Sequence, residues 1–287
     1  MESNKGSISL FVLIAMLFFL TFITGVYIAN INSESVQAKA STRIKEIYEK
    51  DTTEEGMGSV YDKIMEPFNL DYISDGLILH YDGINNTGVG HKDTAETWRD
   101  LSGHGNDGIK TGGVWIGDAW KSTTDNEKVE TAAAVALGAD FTYEVYIKDL
   151  TRLGVTTYNA LITNYPVSGG GYWLGLSGTT SAVKIRYFVN VNYGAEVVDI
   201  TIPTVPNNIT MTAENKTVRI YTDGTLIYTA VNKQDLLVGN NKVRVGYSAS
   251  AAQVANASYN SVRVYNRALT DGEIKTNYYT DKQRFGT

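Results

Sequence analysis

Hydrolysis of a glycosidic bond by the retaining route needs two carboxyls about 5–5.5 Å apart across the scissile bond. That requirement falls on the acidic residues. Glu144 and Asp149 sit in the alternating stretch F-T-Y-E-V-Y-I-K-D, Phe141 to Asp149. Five residues apart on a regular strand, they point to opposite faces and cannot share one substrate. The three histidines, His80, His91 and His104, form neither an H-x-x-x-H pair nor a triad-like setting. Serine nucleophile elbows and Walker-type glycine loops are missing too. The chain has no cysteine, which excludes disulfides, thiol catalysis and cysteine zinc sites together. No residue is assigned a catalytic role.

Two groups could instead hold a ligand. In W-R-D-L-S-G-H-G-N-D-G, Trp98 to Gly108, the glycines permit positive φ, and Asn106 and Asp107 can bond their own backbone. A tightly shaped loop is the plain reading. The sharper one has Asp100, Asn106 and Asp107 presenting oxygens to Ca²⁺, which takes six to eight such ligands, although the spacing is not that of an EF-hand. The second group is aromatic. Trp120, Tyr165, Tyr172 and Trp173 could offer flat apolar faces to a pyranose ring. Core or sheet-surface packing is the competing role for each, and because Trp173 alternates with Leu174, one of that pair belongs to the core.

The elements that must position these residues read as strands. Leu77, Leu79 and Tyr81 open the folded part. Phe141, Tyr143, Val145 and Ile147 share one face of a long strand, opposite Thr142, Glu144, Tyr146 and Lys148. Strands follow at Asn159–Thr163, Tyr172–Leu176, Lys184–Asn190, Glu196–Ile202 and Asn208–Ala213. In Thr217 to Ala230, Asp223-Gly224 between two alternating runs predicts a hairpin with a type I′ turn. Lys242–Ser248 reads as the penultimate strand. Val262 and Val264, alternating with Ser261 and Arg263, mark a last strand with one face buried. Thr270, with Glu273 three residues on, is a capping box opening a short helix.

Ahead of this lies a different composition. No charged residue occurs between Lys5 and Glu34, and Ile8 to Ala29 is almost wholly apolar, long enough to cross a hydrocarbon core of ~30 Å. Residues 8–29 are expected to contact membrane lipid as an uncleaved anchor, residues 31–70 to form a helical stalk and linker, and residues 71–287 the folded domain. The start K-G-S-I-S-L-F also resembles a type IV prepilin-type leader cut after Gly6. Phe11 stands where pilins of that family carry a glutamate, which puts filament assembly in doubt. The net charge of −6 and the lack of a basic cluster argue against nucleic acid.

Three stretches in the correct order carry a wider resemblance: Leu79-x-Tyr81-Asp82 with D-x-S-G-x-G-N-D-G at Asp100 to Gly108, the hairpin around Asp223-Gly224, and V-R-V-Y-N-R-A-L-T-D-G-E-I-K near the end. The strand F-T-Y-E-V-Y-I-K adds to them, with Tyr146 in the usual tryptophan place. Over Tyr72 to Tyr279 the chain resembles bacterial laminin-G-like domains of the concanavalin A-like lectin/glucanase superfamily. The resemblance implies an all-β antiparallel jelly-roll sandwich. Glucanases of that superfamily use an E-x-D-x-x-E strand, which this chain lacks. The expected protein is a single-pass bacterial surface protein, its C-terminal domain outside the cell, binding a glycan or an extracellular protein without catalysis. A pilin-like subunit displaying the sandwich on a filament is the alternative, and a glycoside hydrolase a third.

Overall fold

Period-two alternation becomes eighteen strands, all antiparallel in their pairing, among the residues that this computed structural model describes: 71–124, 126–153, 159–164, 171–179, 182–189, 196–231, 239–247 and 255–286. The expected leader, membrane anchor and stalk, and the ring of Tyr165, lie outside the described residues. Among those described, no helix is long and apolar enough to cross a membrane.

In chain order the strands are β1 Leu77–Asp82, β2 Thr97–Trp98, β3 Gly108–Thr111, β4 Val114–Ile116, β5 Ala119–Lys121, β6 Lys128–Thr131, β7 Val135–Leu137, β8 Phe141–Leu153 and β9 Asn159–Thr163. They continue with β10 Tyr172–Thr179, β11 Ala182–Val189, β12 Glu196–Thr201, β13 Asn208–Glu214, β14 Thr217–Thr222, β15 Thr225–Val231, β16 Gly239–Asn241, β17 Arg244–Val245 and β18 Ala255–Tyr265. One helix follows, α1, Asp271–Phe285. The first sheet runs β15-β14-β13-β8-β18-β5-β4, with β1 also paired to β18. The second runs β12-β11-β10-β9-β17-β6-β3-β2, and β16 pairs with β7 apart from both.

The two eight-stranded sheets face each other across one apolar core. Phe141, Tyr143, Val145, Ile147, Val262 and Val264 from the first sheet meet Leu161, Tyr172, Leu174, Leu176, Ile185 and Val245 from the second. The alternation in the sequence thus marks the inward faces correctly. At the predicted hairpin, Thr222 pairs with Thr225, and Asp223 and Gly224 have φ of 47° and 72°, as a type I′ turn requires.

Three expectations need correction. β18 and the start of β8 are buried on both faces, not one, because α1 covers the outward side of the first sheet. The helix is longer than the short cap expected. Thr270 does form the capping box with Glu273, but α1 then runs fifteen residues to a glycine cap at Gly286. Its inward positions, Ile274, Asn277, Asp281 and Phe285, keep helical spacing but half of them are polar, so no apolar stripe announced them. Finally, the strand expected at Lys242–Ser248 shrinks to Arg244–Val245. Gly246 turns the chain at φ 72°, and its N–H donates to the Leu161 carbonyl at 2.9 Å.

Candidate functional site

The sequence-nominated residues are mostly engaged inside the fold. The Asp100 carboxylate accepts backbone N–H groups from His80, Ser102 and Asn106, each at 2.9 Å, and the Ser102 hydroxyl at 2.8 Å. Asp107 accepts the Asp100 N–H at 2.9 Å and pairs with Arg99. Asn106 donates its amide to the Ile78 carbonyl at 2.7 Å, and its own carbonyl accepts the Tyr81 hydroxyl at 2.8 Å. These contacts fasten the glycine-rich loop to β1, and they occupy the carboxylate oxygens that a calcium ion would need. No group of three or more His, Cys, Asp or Glu side chains is placed to hold a metal among the described residues.

The aromatic candidates are likewise taken up by packing. Trp120 is fully buried against Tyr259, ring centroids 5.4 Å apart. Tyr172 stacks near Phe141 at 4.0 Å in the core and donates its hydroxyl to the Gly138 carbonyl at 3.0 Å. Neither presents a ring face. Trp173 differs, since it leaves the core and lies on the outward face of the second sheet.

That face is built by register. Glu130 on β6 stands beside Ile109 of β3 and opposite Arg244 of β17; Arg244 then pairs with Thr163 of β9, Thr163 with Trp173 of β10, and Trp173 with Phe188 of β11. Paired residues share a face, so one row of outward side chains crosses six strands. Trp173 is buried and folds over its own strand. An added Cβ at Gly175 would come within 2.5 Å of the indole, so the ring can lie flat only on glycine. Phe188 meets it edge-on at 4.9 Å. The indole N–H has no hydrogen-bond partner among the described residues.

Charges flank the rings. Beyond them, Arg186 of β11 makes a two-point pair with Asp199 of β12, which also accepts the Ser177 hydroxyl at 2.9 Å. The Arg186 hydrogen bond, with Ser177 assisting, holds the Asp199 carboxyl below its ordinary value against a burial that would raise it. At the other end three cations converge on Glu130: Arg244 at 2.5 Å, Lys242 at 3.4 Å and Lys128 at 3.5 Å. Burial alone would raise the Glu130 carboxyl, but Arg244 and then the two lysines bring it below the usual range. Lys128 is seated 5.1 Å over the Tyr247 ring.

Glu144, the acid considered first for catalysis, belongs to the opposite sheet and is sealed there. Arg263 donates to it at 2.9 Å and to Asp281 of α1 at 2.7 and 2.5 Å. Asn277 donates to Glu144 at 2.7 Å. Tyr72, where the chain enters the domain, donates its hydroxyl to Asp281 at 2.8 Å and lays its ring 4.2 Å from the guanidinium. Burial raises the Glu144 carboxyl, since the one guanidinium is shared with Asp281.

A laminin-G family model of the concanavalin A-like lectin/glucanases superfamily matches residues 121–275. The chain belongs to that superfamily. The match covers β6 through the capping box and stops short of the glycine-rich loop at Asp100. Among solved structures, the binding domain of botulinum neurotoxin serotype D superposes with a TM-score of 0.54 at 14% identity, covering 72% of this chain and 51% of that one. Trypanosoma rangeli sialidase superposes at 0.52 and 16%, covering 73% of this chain and 33% of the sialidase. At such identities the likeness is one of fold, and the chain spans about half of the toxin domain and a third of the sialidase. No curated protein matches the chain.

The residues that sequence reading missed on this superfamily's second sheet are Glu130, Arg244, Lys128, Arg186 and Asp199. The signal for them was present: K-V-E-T, K-V-R-V and K-I-R-Y each place charge at every second position. Strand pairing, which one sequence does not state, is what converts those alternations into ion pairs.

Proposed function

We propose that the chain is a membrane-anchored surface protein whose sandwich binds a glycan on the outward face of the second sheet and does no chemistry on it. The observation that carries this reading is the placement of acids on that face. Glu130 and Asp199 are separated by five strand steps, about 24 Å at ~4.8 Å per step. Each carboxylate is paired with arginine. Glycosidase carboxyls lie roughly 5–9.5 Å apart, so these two are arranged for recognition. The rings and charges of one cross-strand row suit a saccharide, which offers apolar ring faces edged with hydroxyls.

The first sheet supports the same reading from the other side. Tyr72 and Ile73 bond to Asp281 and Asn277 of α1, so the outward face of the first sheet is taken up by the domain's own chain. Residues 8–29, almost wholly apolar, support the anchor. A glycan array probed with the full-length chain, with and without chelator, tests the proposal. Retention of a subset of glycans, unchanged by chelation and without released sugar, is expected. Release of reducing sugar would make it a hydrolase, and retention of no glycan would leave the face without this role.

A further inference from the structure

We infer that β15, Thr225–Val231, is a docking edge for a second copy of this chain, the two strands pairing antiparallel across a two-fold axis so that two first sheets become one. A strand with a neighbour on one side only presents a row of unpaired N–H and C=O groups on the other, and proteins blunt such edges by brevity, charge or cover. Among the described residues β15 pairs with β14 alone. Its seven residues, T-L-I-Y-T-A-V, include no charge and no proline.

Every other edge among the described residues is blunted in one of those ways. β2, β4, β7 and β16 are two or three residues long. β12 contains two acids, Glu196 and Asp199. β1 is covered, because the groups it turns away from β18 are bonded by the glycine-rich loop: the His80 N–H donates to Asp100 at 2.9 Å, and the His80 and Ile78 carbonyls accept from Leu101 at 2.8 Å and Asn106 at 2.7 Å. β15 instead exposes Leu226 at 42%, Ile227 at 37% and Val231 at 70%, three of the seven large apolar side chains left exposed on the described residues. A bulge at Ile227 interrupts the ladder to β14 near the turn, and it sets an apolar side chain outside where a guard would be a charge. Tyr228–Val231 run in regular register, and Tyr228 seats the strand on the core, its ring centroid 6.2 Å from that of Tyr187.

The missing charge says which partner fits. With a net charge of −6, two copies repel wherever their acids meet. β12 laid against β12 would do that, whereas β15 against β15 places no charge opposite another and covers the apolar side chains of each copy with those of the other. The direction fits as well. The strands leading to this edge are paired antiparallel, and a two-fold axis normal to the sheet makes two identical edge strands antiparallel, so the copy continues the existing hydrogen-bond pattern. The same axis leaves the second sheets of both copies on one side of the joined sheet, where a ligand of that face meets two of them.

The chain has no cysteine, so a single introduced thiol reports on this contact alone. In the full-length chain in detergent, Leu226→Cys, Thr229→Cys and Val231→Cys are expected to form covalent dimers with a short thiol cross-linker, fastest at the residue nearest the axis. Thr201→Cys, exposed on β12, should stay single. Thr229→Lys with Val231→Lys charges an edge at two exposed positions, so melting should hold while dimer affinity, read by sedimentation, falls about tenfold or more. A chain monomeric at every concentration, or a dimer that the double variant leaves unchanged, would overturn the pairing. So would β15 amides protected from exchange in a monomer, which would give the edge to residues of the same copy, or a cross-link formed in cells to a different protein in place of a second copy.

Discussion

The outward faces of the two sheets use the same chemistry, arginine against carboxylate across strands, to opposite ends. On the first sheet α1 closes over Glu144, Arg263 and Asp281, none more than 1% exposed. On the second no helix among the described residues lies over the row described above, and the cluster at Glu130 keeps 17–40% of its side-chain surface. Burial decides the difference. A sealed pair holds the helix and the entering chain in register, and once it is desolvated, losing a partner is expensive. A half-open pair adds little to stability and stays free to exchange partners with a ligand.

Breaking the sealed network should therefore have the largest effect. Arg263→Met strands two buried carboxylates, and a loss of about 3–5 kcal/mol is expected in urea unfolding. A loss below about 1 kcal/mol would mean that α1 is held by its apolar contacts alone. The two faces should also answer acid with opposite signs. Glu144 is raised by burial, so the folded state binds its proton more tightly than the unfolded chain does. As pH falls from neutral towards its ordinary 4.5, this group adds stability, and Glu144→Gln should abolish that gain. Glu130 and Asp199 are lowered, so their contribution is complete above their ordinary values of 4.5 and 3.8 and is lost as pH falls below them. Stability measured against pH from 7 to 3 should rise and then fall, and a monotonic decline in both wild type and Glu144→Gln would refute the contrast.

How much of this was legible in the sequence follows the same division. Alternation at Phe141–Ile147 and Val262–Val264 identified the inward faces, and Asp223-Gly224 fixed a turn, because in both cases the signal is local. The outward faces depend on what lies over them. Nothing near Arg263 says that Asp281, eighteen residues on, will reach back to it, and polar residues at the inward positions of α1 concealed the helix as a covering element. The core placement of two aromatic candidates was hidden for a related reason. Trp120 and Tyr172 have the composition of a sugar platform, but rings that large are what a sandwich core uses to fill its volume. Trp173 came closer, since its alternation with Leu174 already implied that the two point apart. The Asp100 loop has the oxygens of a metal site but spends them on backbone N–H groups, a use that its spacing alone does not distinguish.

Smaller effects sharpen the comparison at its edges. Thr270→Ala removes the side chain that accepts the Glu273 N–H and should cost about 1 kcal/mol, read as a lowered Tm. The loss should also loosen the first sheet's cover, so faster amide exchange is expected at Arg263 and Tyr265 with little change on β10 and β11.

The smallest change in stability is expected on the open face. Arg186→Gln breaks the pair with Asp199, but Asp199 keeps the Ser177 hydroxyl and contact with solvent. The cost should lie between 0 and about 1 kcal/mol, within the range for partly exposed pairs. If the face is a recognition surface, the same substitution should weaken glycan binding by more than it weakens the fold, because a ligand reads the orientation of Arg186 while the sheet does not depend on it. A variant that lost several kcal/mol of stability would place Arg186 with Arg263, as a structural clasp, and would erase the distinction between the two faces.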